Sequence, residues 1–182
     1  MKGLHALCGT IGLQVCLLAG ILVMNSSSGA AAPVRVSDRK VEHICVQFCA
    51  LLFGVASAGS AYFAGFKSLI TLHSIFGIVA TGLAILTGLS GLFLFELCRP
   101  SSKENENFGV CLYVHLITGI FACIASSMCF VSGITSDIFV RWLPVHEMYG
   151  YMVICCAVYT TIIVYKPMIM IFTGRRDRLT EY

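Results

Sequence analysis

The chain reads as an all-α membrane protein, a polytopic bundle of five transmembrane helices in one domain covering residues 1–182. Three observations carry this reading. The composition is 58% apolar and only 12% charged, and the mean hydropathy of +0.88 lies outside the range of soluble globular chains. The apolar residues collect into five nearly uncharged runs, each with the roughly twenty residues that a helix needs to cross a hydrocarbon core. All five histidines stand where such a run opens.

The first run, residues 4–24, carries no charge and forms the first span. A secretory signal peptide is its competing reading: Lys2 precedes it, and the small residues of 26–32 resemble a cleavage site, which would remove residues 1–32. The run is longer than a usual signal core, which favours a retained helix. A polar loop with Pro33 and the cluster Arg35, Arg39 and Lys40 leads to a second span at 41–66, opened by His43. After a short connection at Lys67 comes a third span at 69–97, opened by His73. Its glycines Gly77, Gly82, Gly88 and Gly91 suit close approach of a neighbouring helix or a flat ligand. A second polar loop precedes the fourth span at 108–134, which holds His115 and ends at Ser136 and Asp137. The fifth, at 142–172, is expected to carry Pro144 in its first turn and to bend at Pro167. The tail from Gly174 is polar and basic.

With five spans the loops fall on two sides, and nine of the twelve Lys and Arg residues lie on one of them: Arg35, Arg39, Lys40, Arg99, Lys103, Lys166, Arg175, Arg176 and Arg178. The positive-inside rule then puts the C-terminal tail and both long loops in the cytosol. The ten cysteines fall mostly inside the apolar runs, where cysteine packs as a small hydrophobe. No Cys-x-x-Cys pair is present for zinc or for covalent haem attachment. A net charge of +3 without a long basic run gives no support to nucleic acid as a partner.

An imidazole at membrane depth is costly unless something uses it. Because the spans alternate in direction, His43 and His115 fall near the cytosolic surface and His5, His73 and His146 near the other. Two histidines from facing helices at one depth can supply both axial ligands of a b-type haem, held by coordination and apolar packing alone. His5, His73, His115 and His146 are each followed four residues later by glycine, and His43 by Gln47. A glycine one turn deeper would leave a flat helix face beside the ligand. The ordinary alternative for each histidine is a hydrogen-bonded interfacial residue, and copper or zinc would be an alternative guest for the same nitrogens. Two haems, one near each surface, would form a transmembrane electron wire. Arg39 and Lys40, within a turn of His43, could hold an anionic reductant there, or serve only as membrane-flanking cations.

The pattern resembles the cytochrome b561 family, the ascorbate-reducible di-haem transmembrane cytochromes, and within it the short reductases without additional domains. The residues that carry the likeness are His43-Ile-Cys-Val-Gln47 with Ala50-Leu51-Leu52, Leu112-Tyr113-Val114-His115 with Gly119, His73-Ser74-Ile75-Phe76-Gly77, and Leu4-His5. The resemblance implies two haem b groups per chain, His43 pairing with His115 and His5 with His73. A second register is open, in which Leu143-Pro144-Val145-His146 supplies the partner of His73. It further implies cytosolic ascorbate as donor, ferric chelate or monodehydroascorbate as acceptor, a homodimer, and an endomembrane or plasma-membrane location. Two other classes stay open on the residues alone. One is a membrane adaptor in which the histidines only pack, and the other a haem or metal transporter using the same ligands.

Overall fold

The computed structural model describes residues 2–24, 35–65, 70–97, 106–145 and 147–173. Among them every regular element is helical. The first span is built in three pieces: α1 (Lys2–Gly9), a π-helical stretch (Thr10–Cys16) and α2 (Leu17–Val23). Then follow α3 (Val36–Phe63), α4 (Leu72–Leu97), α5 (Glu106–Ile134), the short α6 (Asp137–Trp142) and α7 (Met148–Thr173). Five helical stretches are long and apolar enough to cross a membrane: Gly3–Val23, Ser37–Phe63, Leu72–Phe95, Gly109–Ile134 and Met148–Ile169. The protein is an integral, multi-pass membrane protein of the expected all-α class.

The ends of the elements explain where expectation and structure part. The second span starts earlier than residue 41: Arg35 is extended at φ −61° and ψ 148°, and the helix begins at Val36. Arg39 and Lys40 therefore belong to its opening turns and not to a loop. The same helix stops at Phe63, three residues short of the expected end, because Gly65 adopts φ +77°, a left-handed conformation open to glycine that terminates a helix. The fifth span does not begin at Trp142. Residues 137–142 form α6, with the Ser136 side chain accepting from the Phe139 N–H as its N-cap. Leu143 before Pro144 is then extended at ψ 134°, as the pre-proline position favours. Pro144 lies between helices and α7 starts only at Met148. At the far end α7 runs on through Pro167 to Thr173.

The first four spans pack as two antiparallel helical hairpins. The three pieces of the first span lie along α3, and α4 lies along α5. Between the hairpins is a core of small and medium residues, Ala50, Ala80, Ala84, Ala122 and Ala125 with Leu13 and Leu17. A second cluster, in which Leu18, Ile120 and Cys123 meet Ile163 and Val164, seats α7 against the bundle. Such small-residue contacts bring helix backbones together in lipid, where hydrophobic exclusion gives no net drive.

Candidate functional site

The histidines that open four of the spans meet in two pairs. His5 and His73 face each other with their Nε2 atoms 3.4 Å apart and their ring centroids at 5.7 Å. His43 and His115 stand with centroids at 6.0 Å. The rings in each pair are crossed, with interplanar angles of 86° and 72°. All four are half-buried. Each pair joins one hairpin to the other, so the histidines lie on the seam of the bundle.

The second nitrogen of every ring is fixed by the neighbouring helix of its own hairpin. His5 Nδ1 donates to the Ser57 carbonyl at 3.0 Å, and His43 Nδ1 to the Gly20 carbonyl at 2.7 Å. His73 Nδ1 donates to the Cys129 carbonyl at 2.9 Å, and His115 Nδ1 to the Thr87 carbonyl at 3.0 Å. A carbonyl can only accept, so Nδ1 carries the proton and each Nε2 keeps its lone pair on the side of the ring away from that carbonyl. In the His5 and His73 pair two lone pairs then meet head on with no proton between them. That arrangement suits an electrophile between the rings. A metal–imidazole bond of about 2 Å on each side would set the two nitrogens about 4 Å apart, within reach of the observed 3.4 Å by a small outward shift. An Nδ1–H held by a backbone carbonyl is also the usual outer partner of a metal-bound histidine. Among the described residues no three His, Cys, Asp or Glu side chains converge. Each pair therefore offers two imidazole nitrogens, the number of protein donors that a six-coordinate haem takes.

The glycines do something other than leave a face free for a flat ligand. A Cβ on Gly9 would lie 3.0 Å from Ser57 Oγ, one on Gly77 3.4 Å from Cys129 Sγ, and one on Gly119 3.5 Å from Thr87 Cγ2. In each case the glycine sits on the residue whose carbonyl holds the histidine four positions earlier. The His-x-x-x-Gly spacing thus lets the adjacent helix come close enough for its carbonyl to reach Nδ1. At His43 the parts are exchanged: the carbonyl belongs to Gly20, and the Gln47 side chain lies over that glycine and donates to the Leu17 carbonyl at 3.2 Å.

Other glycines clear space for the rings. A Cβ on Gly91 would come within 3.0 Å of His115 Cε1, and one on Gly133 within 3.0 Å of His73. Gly91 is among the glycines that the sequence offers for close approach, whereas reading the sequence by its histidines missed Gly133, yet a signal was there. Ser57-Ala-Gly-Ser60-Ala61, Thr87-Gly-Leu-Ser90-Gly91 and Cys129-Phe-Val-Ser132-Gly133 share one pattern, an acceptor residue followed at +3 by serine and at +4 by glycine or alanine.

Of the other residues singled out from the sequence, Arg39 is 7% exposed and lies one turn before His43, while Lys40 is half-buried and Arg35 exposed. His146 lies outside the described residues, as do Lys67, Arg99, Lys103, Arg175, Arg176 and Arg178. The nine described cysteines are free thiols.

Among curated proteins and solved structures nothing matches the chain. The sequence profile of the eukaryotic cytochrome b561 family does match, over residues 4–141, a stretch that holds the first four spans and both histidine pairs. With opposed imidazoles at two levels of a five-span bundle, the chain belongs to the cytochrome b561 family, whose members are transmembrane electron-transfer oxidoreductases carrying b-type haem.

Proposed function

We propose that this protein holds two b-type haems, one between His5 and His73 and one between His43 and His115, and passes electrons from cytosolic ascorbate to ferric chelate or monodehydroascorbate on the other side. The observation that carries the reading is the fourfold Nδ1–H to carbonyl bond, which leaves Nε2 as the lone-pair nitrogen of every ring in two facing pairs. The family profile also ends at residue 141, before His146, which favours His5 as the partner of His73.

When bound, haem supplies the one-electron couple. The chain's own residues do the rest. His5, His43, His73 and His115 are held in one tautomer and one orientation by backbone that does not move with a side-chain rotamer. Ala50, Ala80, Ala84 and Ala122, with Leu13 and Leu17, fill the middle of the bundle and keep water out of it. Arg39 brings a permanently charged guanidinium to the end of the bundle where His43 stands, the charge that an ascorbate anion needs. Lys40 beside it adds to the same field. The positive-inside count puts that end, and the C-terminal tail, in the cytosol.

The test is a reduced-minus-oxidised visible spectrum of the detergent-purified protein with haem quantified per chain. Two low-spin b-type haems are expected in the wild type, with one lost in His5→Ala and none in His146→Ala. Loss in His146→Ala with retention in His5→Ala would move the outer site to the other register, and a haem-free wild type would overturn the electron-transfer reading. Proteoliposomes loaded with ascorbate should then reduce external ferric chelate.

A further inference from the structure

Three of the four carbonyls that hold the histidines are shared with a serine. Ser60 Oγ donates to the Ser57 carbonyl at 2.8 Å, Ser90 Oγ to the Thr87 carbonyl at 2.9 Å, and Ser132 Oγ to the Cys129 carbonyl at 2.9 Å. These are the same oxygens that accept from His5, His115 and His73. Ser90 Oγ also stands 3.2 Å from His115 Nδ1, where its lone pair can itself accept the ring proton, whereas Ser60 and Ser132 meet only the carbonyl. Each lies inside a helix, where a carbonyl also accepts the N–H four residues on. Three donors thus converge on one oxygen with two lone pairs.

The fourth carbonyl is different. Gly20 lies in the last turn of α2, where helix carbonyls run out of N–H partners, and the Met24 N–H at the C-cap goes to the Leu22 carbonyl. Three residues after Gly20 stands Val23, which has no hydroxyl. The His43 bond to this oxygen is also the shortest of the four, at 2.7 Å.

How strongly Nδ1–H is held sets how electron-rich the ring is at Nε2. A strong bond pushes the imidazole toward imidazolate, makes it a better donor to iron and favours the ferric state. Competition for the carbonyl does the reverse.

We propose that Ser60 and Ser132 are tuning residues that weaken the Nδ1–H bonds of His5 and His73 by sharing their carbonyls, and so raise the reduction potential of the haem those histidines bind. This rests on the haem reading above. The His5 and His73 site receives two such contributions, whereas at His115 the Ser90 hydroxyl both competes for the carbonyl and meets the ring nitrogen, so its two effects oppose each other.

The measurement is a spectroelectrochemical titration of purified wild type, Ser60→Ala, Ser132→Ala, the corresponding serine-to-threonine variants, and Val23→Ser. The two haem components are assigned by which one disappears in His5→Ala. Ser60→Ala and Ser132→Ala should shift only the His5 and His73 component, each to more negative potential. The threonine variants, which keep the hydroxyl, should titrate like the wild type. Val23→Ser should shift the His43 and His115 component positive, by giving Gly20 the donor that the other three carbonyls have. Both haems retained with unmoved midpoints in the alanine variants would overturn the proposal, as would threonine variants that shift as the alanine ones do, since that would be a packing effect. Should an alanine variant lose its haem, Val23→Ser decides: an unmoved midpoint there overturns the proposal. Absence of haem from the wild type would instead sink the haem reading itself, before any serine is changed.

Discussion

At the scale of single residues, the site is a set of imidazoles oriented by backbone. A side-chain acceptor could rotate away, whereas a carbonyl inside a helix turns only if the helix does. The glycines under the rings give a test in which two effects oppose each other. Alanine in place of a mid-helix glycine stabilises a helix by about 1 kcal/mol, so Gly91→Ala, and to a smaller extent Gly133→Ala at the end of α5, would raise thermal stability if the rings were absent from the contact. With a new Cβ 3.0 Å from His73 or His115, each should instead lower haem occupancy at its own pair and leave the other pair filled, as pyridine-haemochrome quantification would show. The histidines were legible in the sequence because a titratable ring at membrane depth is rare and all five recur at span starts. The serine at +3 and the small residue at +4 were less visible, since in a helix rich in Ser, Gly and Ala they read as ordinary packing until the carbonyl is seen to hold a ring.

At the scale of elements, the first span departs most from regularity. Its middle is π-helical from Thr10 to Cys16, and such a stretch changes which residues face inward. Gln14 is buried there and donates to the Ser126 carbonyl at 2.8 Å and its hydroxyl at 2.7 Å. Ser126 Oγ in turn donates to the Leu13 carbonyl at 2.6 Å, and Tyr159 of α7 donates its hydroxyl to Gln14 Oε1. One glutamine thereby ties the first, fourth and fifth spans. Gln14→Leu strands the buried donors and acceptors around it, at about 1–3 kcal/mol. Tyr159→Phe removes one bond whose membrane value averages about 0.6 kcal/mol. Unfolding in mixed detergent should rank the glutamine variant as the more damaged. Gly12, in the same stretch, has Phe53 Cβ, the Gly54 nitrogen and the Ala50 oxygen within 3.0 Å of where a Cβ would stand. Two of those three atoms are backbone and cannot step aside. Gly12→Ala should cost about 1–3 kcal/mol by overpacking, read as a lower melting temperature of the purified protein. A wild-type melt would remove the close approach of the π-helical stretch and α3 from the account.

At the scale of the whole molecule, the two spans of each hairpin hold each other's histidines in place reciprocally. Within each hairpin the start of one helix gives a histidine to the end of the other, and between hairpins the histidines face in pairs. The first span is central to this plan, since it supplies His5, the Gly20 carbonyl and Gln14. The segment is therefore expected to be retained in the working protein. Intact-mass measurement of protein purified with a C-terminal tag should include residues before Pro33, and a species lacking them that still carried two haems would refute this. The charge at the His43 end has its own test. Arg39→Ala should slow reduction by ascorbate several-fold while leaving reduction by a neutral dye unchanged, and an equal loss with both reductants would show a structural effect instead.

The class of the protein, the number of spans and the histidines worth watching were all determined by the sequence, because burial in lipid imposes a run length on apolar residues and a cost on every titratable group within them. Which histidines face each other was open between two registers in sequence. It depends on contacts between residues far apart in the chain, with 52 positions between His5 and its Ser57 carbonyl and 68 between His5 and His73. The role of the glycines was decided by tertiary structure alone. Spacing within a helix tells which residues share a face, but what lies against that face is a property of the neighbouring helix. The same holds for the break at Pro144, where the chain could equally start a helix or precede one, and the separate turn of α6 leaves it preceding one.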